Sequence, residues 1–226
     1  MEAVMKFISF FDVIGPNMIG PSSSHTAGAV AIGNMAAKLF KNTIKKVTFT
    51  LYGSFAQTYY GHGTDRALLG GVMGFLPSDE RIVNAFEEAE KRKIQFEYRI
   101  DHKTKTGHPN TADIYMEAED GTGQTIRGES LGGGKIRITN IDGIDVDFTG
   151  EYSTLVIRHE DRPGIVAHIS AELANNNVNI AFMKVFRKKM RVEAYTVVES
   201  DEKITREVME HLYKNSGIDK VLLIQI

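Results

Sequence analysis

The sequence predicts a two-domain protein of the α/β (α+β) class. A larger domain spans residues 1–148 and a smaller one 152–226. Three observations predict this. The chain has 226 residues, enough for one large or two small domains. From Tyr152 onward the apolar pattern reads β-α-β-β-α-β within about 75 residues, the split-βαβ layout. Between the two patterns, Thr149-Gly150-Glu151 forms a short polar linker.

In the larger domain, "GPSSSHTAG" (Gly20–Gly28) is a polar turn opening a helix, and Val30, Met35 and Leu39 continue it on an apolar face. "VTFTLYG" (Val47–Gly53) alternates and is β-branched, so it is a strand. "SFAQTYYGHGTDRALLGGVMGF" gives helical pieces broken by glycine. "DERIVNAFEEAEKR" predicts an amphipathic helix with Ile82, Val83, Phe86 and Ala89 on one face. "IQFEYRI", "ADIYMEAE", "QTIRGESL" and "KIRITNIDGIDVDF" are strands joined by turns, so the later half is mostly antiparallel.

In the smaller domain "STLVIRHED" is a strand. The helix after it carries Ile165, Ile169 and Leu173 at i, i+4 and i+8. Two strands flank a basic turn at Lys188–Lys189. A second helix carries Ile204, Val208 and Leu212 and is expected to end at Gly217 as a C-cap. "KVLLIQI" is the last strand. The basic "KVFRKKMR" stretch reads as a solvated hairpin.

Composition excludes several classes. The net charge is −2, which gives no reason to expect nucleic acid or an anionic membrane as partner. There is no cysteine, hence no disulfide framework and no thiolate for an iron–sulfur cluster. No apolar run approaches the ~20 residues of a membrane span. The opening "MEAVMKFISFFDVIG" lacks a signal-peptide layout. These features lead to the expectation of a cytoplasmic protein, and they disfavour a secreted amino-acid-binding protein.

Four glycine- or serine-rich stretches carry the chemistry of the larger domain: "PSSSHT" (Pro21–Thr26), "GHGTDRALLGG" (Gly61–Gly71), "KTGHPNTA" (Lys105–Ala112) and "SLGGGKI" (Ser130–Ile136). His25, His62 and His108 each sit in one of them, and a histidine can move protons at neutral pH. A helix N-terminus leaves N–H groups unpaired and favours anions. Their spacing fits no metal motif, serine-nucleophile elbow or P-loop. Ser22 or Ser23 also reads as an ordinary helix cap. Asp65 and Arg66 read as a local ion pair, and Asn110 as a turn residue.

Together "GPSSSHTAGAVAIG", "GHGTDRALLGGVMGF", "HPNT" and "SLGGGKI", in that order, closely resemble the β chain of the bacterial iron–sulfur L-serine dehydratases. The segment "HEDRPGIVAHISAELANNNVNIAFM" resembles an ACT domain, an amino-acid-sensing module. The first resemblance implies a cytoplasmic lyase subunit of serine catabolism that turns L-serine into pyruvate and ammonia. Its four-iron four-sulfur cluster is then held by a separate α chain, where an iron takes the departing hydroxyl as Lewis acid, and not by this chain. It implies that Ser22, Ser23, Ser24, Thr26, His62, Gly63, Thr64, His108 and Asn110 bind substrate. His25 is the general base or only orients its loop, and which serine points inward is open.

The ACT resemblance implies pairing with a second β chain and an effector held by Asp161, Gly164, Ile165 and Asn179, with Pro163 presetting the helix start. Asn175–Asn177 read as a helix end. The larger domain also resembles the allosteric substrate-binding domain of some phosphoglycerate dehydrogenases. That supplies the alternative of a purely regulatory amino-acid-binding subunit.

Overall fold

The computed structural model describes residues 17–225, so the opening stretch Met1–Gly15 lies outside them. A π-helical turn at Ser23–Ala27 runs into α1 (Gly28–Phe40). Then follow β1 (Lys46–Tyr52), α2 (Gly53–Thr58), α3 (Thr64–Val72), a 3-10 turn (Glu80–Asn84), α4 (Ala85–Lys91) and β2 (Gln95–Asp101). An antiparallel run closes this half: β3 (Asn110–Glu117), β4 (Gly123–Gly132), β5 (Lys135–Ile141) and β6 (Ile144–Phe148). The remainder is β7 (Ser153–His159), α5 (Ile165–Asn175), β8 (Phe182–Lys189), β9 (Glu193–Ser200), α6 (Arg206–Leu212) and β10 (Ile218–Ile224). The expected mixed class and the β-α-β-β-α-β order are both present.

The strands form two sheets, ordered β2-β1-β3-β4-β5-β6 and β10-β7-β9-β8. β1 lies parallel to β2, with Val47 opposite Phe96, and antiparallel to β3, with Phe49 opposite Ile114. A parallel neighbour needs a long crossover, and α2, α3 and α4 supply it.

By packing, the chain forms two compact units. One holds the residues up to Ala37, Asn42–Gly123 and Gly128–Ile136; the other holds Lys38–Lys41, Gln124–Arg127 and the residues from Arg137 on. The core of the first gathers Val30, Ile32, Phe49, Leu51, Phe55, Leu68, Phe75, Ile114 and Met116, all but sealed from solvent. Each such side chain contributes about 1.5–3 kcal/mol by burial. α1 and α3 meet backbone to backbone: a Cβ on Gly71 would sit 2.3 Å from the Val30 carbonyl oxygen, and one on Gly33 2.4 Å from that of Leu68. The glycines that break the helical pattern in the sequence are therefore what lets these helices close.

In the second unit Ile165, Ile169 and Leu173 of α5 and Val208 and Leu212 of α6 share one cluster with Leu155, Ile157 and Val198 of the sheet. Both helices thus cover the same face, and β8 and β10 are left as edges.

Four local expectations are corrected. Val83 is exposed while Ile82 is buried, because the segment begins as a 3-10 turn capped by Asp79 and becomes α-helical only at Ala85. Three residues per turn shift the phase of the apolar face. α6 stops at Leu212, capped at Tyr213. Gly217 serves close packing instead, since a Cβ there would lie 2.7 Å from Ile165 Cδ1. Lys189 still belongs to β8, and the hairpin turns beyond it, where Arg191 takes φ 61°. Pro163 lies ahead of the cap of α5: Gly164 is the N-cap at φ 91°, and the helix begins at Ile165.

Candidate functional site

The site is built where β1 ends. Gly53 turns the chain with φ +53°, and a Cβ there would meet the Pro109 carbonyl oxygen at 2.5 Å. The next residue, Ser54, is held on both backbone sides: its N–H donates to Pro109 O at 2.7 Å, and its carbonyl accepts from the Thr58 hydroxyl at 2.9 Å. Its backbone is therefore held in place.

Opposite it stands the serine turn. Ser22 caps in extended conformation, and its Oγ accepts from His25 N–H at 3.3 Å. The turn it opens is π-helical, a geometry concentrated at functional sites. His25 is 8% exposed. Its Nδ1 lies 3.3 Å from Ser22 Oγ and 3.2 Å from Ser24 Oγ, and its Nε2 lies 3.1 Å from Ser54 Oγ. The ring meets the edge of Phe55 and lies 4.8 Å, centroid to centroid, from His62.

All four polar stretches converge here. The Thr26 hydroxyl donates to His62 O at 3.4 Å. Ser130 Oγ donates to Ser24 O at 2.8 Å, and Gly133 N–H donates to Ser23 Oγ at 3.3 Å. Asn110 Nδ2 donates to Ser130 O at 3.5 Å. Segments more than a hundred residues apart in sequence so fix the serine turn from several sides. Ser22 does cap, as expected, and it also touches the imidazole. Ser23 faces Gly133. His108 is committed to its own turn, where Nδ1 accepts from Asn110 N–H and the carbonyl accepts from Thr106 and Thr111. Gly63 takes φ 66° as the N-cap of α3, and Thr64 follows it, fully buried.

Burial, then the neighbouring His62, lowers the His25 pKa from 6.5, with Ser54 opposing. The ring is thus a neutral imidazole at neutral pH, ready to accept a proton. Asp65 is buried and its carboxyl is pushed upward by that burial, against the Arg66 N–H that donates to Oδ1 at 2.8 Å. It is a helix-start carboxyl rather than a surface ion pair. Four buried atoms of these stretches find no partner among the described residues: His62 Nδ1, Thr64 Oγ1, Arg66 Nε and Asn110 Oδ1. Leaving such an atom unsatisfied costs about 1–3 kcal/mol, a cost that a water or a polar ligand can offset.

Sequence reasoning missed Ser54 and the Ser130 hydroxyl. Ser54 was hidden inside a helical pattern. The signal available was a glycine-serine pair following a strand, where a chain turning out of a sheet aims its next side chain at the strand end.

In the second unit three of the four effector candidates, Asp161, Gly164 and Ile165, follow directly on β7, whereas Asn179 lies beyond the other end of α5, beside Glu202 at the opposite end of the sheet. The Asp161 carboxylate is already engaged, accepting from Arg187 Nε at 3.1 Å and from Arg191 N–H at 2.8 Å. A cavity of about 710 Å³ borders it, lined by Arg162, Val166, Val185 and Met190 among others. Gly164 presents a left-handed turn, the Ile165 side chain is buried in the core, and Asn179 is exposed with its N–H donating to Glu202 Oε2. Asn175 ends α5, and Asn177 turns the chain at φ 56°.

Comparison with known proteins identifies the family of the chain. Residues 9–141 match the family model "Serine dehydratase beta chain" and residues 153–217 match "ACT domain". The chain is 41% identical over 217 residues to the "Probable L-serine dehydratase, beta chain" of Bacillus subtilis, covering 96% of this chain and 98% of that one. It is 39% identical to the "L-serine dehydratase, beta chain" of Peptoniphilus asaccharolyticus, over 89% and 90% of the two chains. A "D-3-phosphoglycerate dehydrogenase" of Synechocystis is 28% identical over 84% of this chain but only 34% of its own length. Among the described residues no helix is long and apolar enough to cross a membrane. The chain belongs to the serine dehydratase beta chain family and carries an ACT domain in its C-terminal part.

Proposed function

We propose that this chain is the β subunit of a heteromeric L-serine dehydratase, binding L-serine at the serine turn and inactive without an α chain. The observation that carries the reading is His25: a neutral imidazole between hydroxyls of two elements, beside the ring of His62, whose Nδ1 has no partner among the described residues.

The chain has no cysteine, and among the described residues no group of three His, Asp or Glu is placed to hold a metal. These residues do not fit a four-iron four-sulfur cluster. In this proposal the cluster belongs to the α chain, while the residues of this chain bind the substrate and move its proton. The substrate carboxylate accepts from Ser22 and Ser24, whose charge-assisted bonds are about twice as strong as neutral ones. Asn110 Oδ1 accepts from the ammonium. His25 takes the Cα proton, the β-hydroxyl leaves, and the proton then released by the imidazolium completes the departing hydroxide as water, so that the ring returns to neutral. The resulting enamine tautomerises to the imine, and water then releases ammonia and pyruvate.

The ACT domain is proposed to pair with its copy in a second β chain and to sense an amino acid near Asp161, Gly164 and Ile165 of one copy, with Asn179 contributed by the paired copy. Exposed Met190 and Val192 beside the edge strand β8 support a partner there. An effector ammonium has to share Asp161 with Arg187.

A second reading, an amino-acid-binding subunit that regulates without taking part in chemistry, draws on the similarity to phosphoglycerate dehydrogenase. Anaerobic co-purification with the α chain, followed by a serine-to-pyruvate assay, tests the proposal. The isolated chain should be colourless and inactive; pyruvate formed by it alone sinks the two-chain account. A His25→Ala complex with unimpaired turnover but lost response to amino acids establishes the regulatory reading instead.

A further inference from the structure

His25 has hydroxyls at both ring nitrogens, and this constrains its proton. A neutral imidazole carries one N–H and one lone pair. Either Nδ1–H donates to the serine turn and Nε2 accepts from Ser54, or Nε2–H donates to Ser54 and Nδ1 accepts from Ser22 or Ser24. Without a ligand both arrangements can be satisfied, because a hydroxyl rotates to suit.

A carboxylate at the turn biases that freedom. Ser22 and Ser24 turn their hydrogens toward the anion, which leaves lone pairs for Nδ1 and favours a proton there. That arrangement is complete only if Nε2 has a donor to accept from, and without one the ring can still carry its proton on Nε2. The hydroxyl positioned to donate to Nε2 is that of Ser54, at 3.1 Å, on a residue whose N–H and carbonyl are both tied down. We propose that Ser54 is a positioning residue that sets the tautomer of His25, holding Nε2 as the basic nitrogen once a carboxylate occupies the serine turn. This deepens the dehydratase reading and rests on it for the ligand.

The consequence is a division of labour around one ring. Ser22 and Ser24 face the ligand and report its charge at Nδ1. Ser54 answers at Nε2, and its donated hydrogen has to swing aside when Nε2 takes a proton. No atom is gained or lost in this step. Ligand binding and base preparation are thereby one event.

The test uses the full chain labelled with 15N-histidine, with His25 assigned through a His25→Gln variant, and L-serine as the probe. Imidazole nitrogen shifts should move to the Nδ1–H form on adding L-serine to the wild type. In Ser54→Ala the two tautomers should stay mixed. In the complex with the α chain, Ser54→Ala should lower kcat about 10-fold, with KM changed less than 2-fold, as expected when a binding contact is untouched and a positioned base is lost in part. Ser54→Thr, which keeps the hydroxyl, should restore the tautomer and most of the kcat. Wild-type tautomer populations in Ser54→Ala overturn the proposal, and so does a Ser54→Thr protein no better than Ser54→Ala. Failure of the parent reading has a separate signature: His25→Gln keeps full serine turnover while the wild-type tautomer still responds to L-serine through Ser54.

Discussion

The two candidate ligand sites of this chain are built on opposite electrostatic plans. Around the serine turn, buried polar atoms are left without partners, and the central histidine is neutral. Around Asp161, the charged group is matched within the protein, by a guanidinium and a backbone N–H. A buried unsatisfied atom costs stability that a ligand can return. An exposed ion pair contributes little either way. The first site is therefore strained toward binding, whereas the second is satisfied and must be opened by whatever binds it.

The largest effect that bears on this contrast belongs to His25→Ala. If the ring moves the substrate proton, turnover in the complex should fall by roughly 10²–10⁴-fold, the range for a positioned acid–base group. Circular dichroism should show the fold intact. A loss smaller than 10-fold would demote His25 to a loop-orienting role.

Next in size is His62→Phe. The substitution keeps a ring beside His25 and removes the partnerless Nδ1. The isolated chain should gain about 1–3 kcal/mol in denaturant unfolding, the cost of an unsatisfied buried atom, while serine binding by calorimetry weakens. Stability and binding should therefore move in opposite directions. If both fall together, His62 is an ordinary packing residue and the serine turn is not strained toward a ligand.

Much of this was legible in the sequence, and the parts that were not share a cause. The β-α-β-β-α-β order follows from apolar periodicity alone, because each helix there buries one stripe against one sheet. The four polar stretches were visible as glycine- and serine-rich breaks. Their convergence was not, because it depends on β1 leaving the sheet through Gly53 against Pro109, a contact between residues 56 apart. Ser54 was invisible for the same reason: its helical neighbours mask a side chain that matters through His25. Val83 was misplaced since five residues are too short a pattern to reveal a 3-10 period, although that period turns the side chain off the apolar face.

The pH response separates the two sites by a smaller effect. The His25 pKa is lowered on folding, by burial first and His62 second. Above 6.5 the ring is neutral in both states and contributes no pH dependence. As pH falls through 6.5, the unfolded chain takes up the proton first, so the native state loses stability relative to it. The wild-type melting temperature should therefore drop between pH 7.5 and 5.5 by more than that of His25→Gln. Parallel curves for the two would show that His25 titrates as it does in the unfolded chain.

The smallest effect belongs to Asp161→Ala, and it runs with pH in the same direction, in a lower window. Arg191 N–H and Arg187 hold the Asp161 carboxyl below its ordinary 3.8, the N–H being the larger influence. A lowered carboxylate pKa contributes stability above the unfolded value of 3.8, which is lost as pH falls through the folded value. The pair is exposed on its arginine side, so salt screens it. Asp161→Ala should then lower the melting temperature slightly at pH 7. The difference should shrink at high salt and vanish once pH has fallen below the folded value, where the carboxylate is protonated in both states. At the same substitution an amino-acid effector should bind more weakly, with basal turnover of the complex unchanged, because the serine turn does not contain Asp161. A melting-temperature loss as large as that of a core substitution, insensitive to salt, would mean that Asp161 anchors the Arg187–Arg191 hairpin as a structural post. The second site would then be closed rather than merely satisfied.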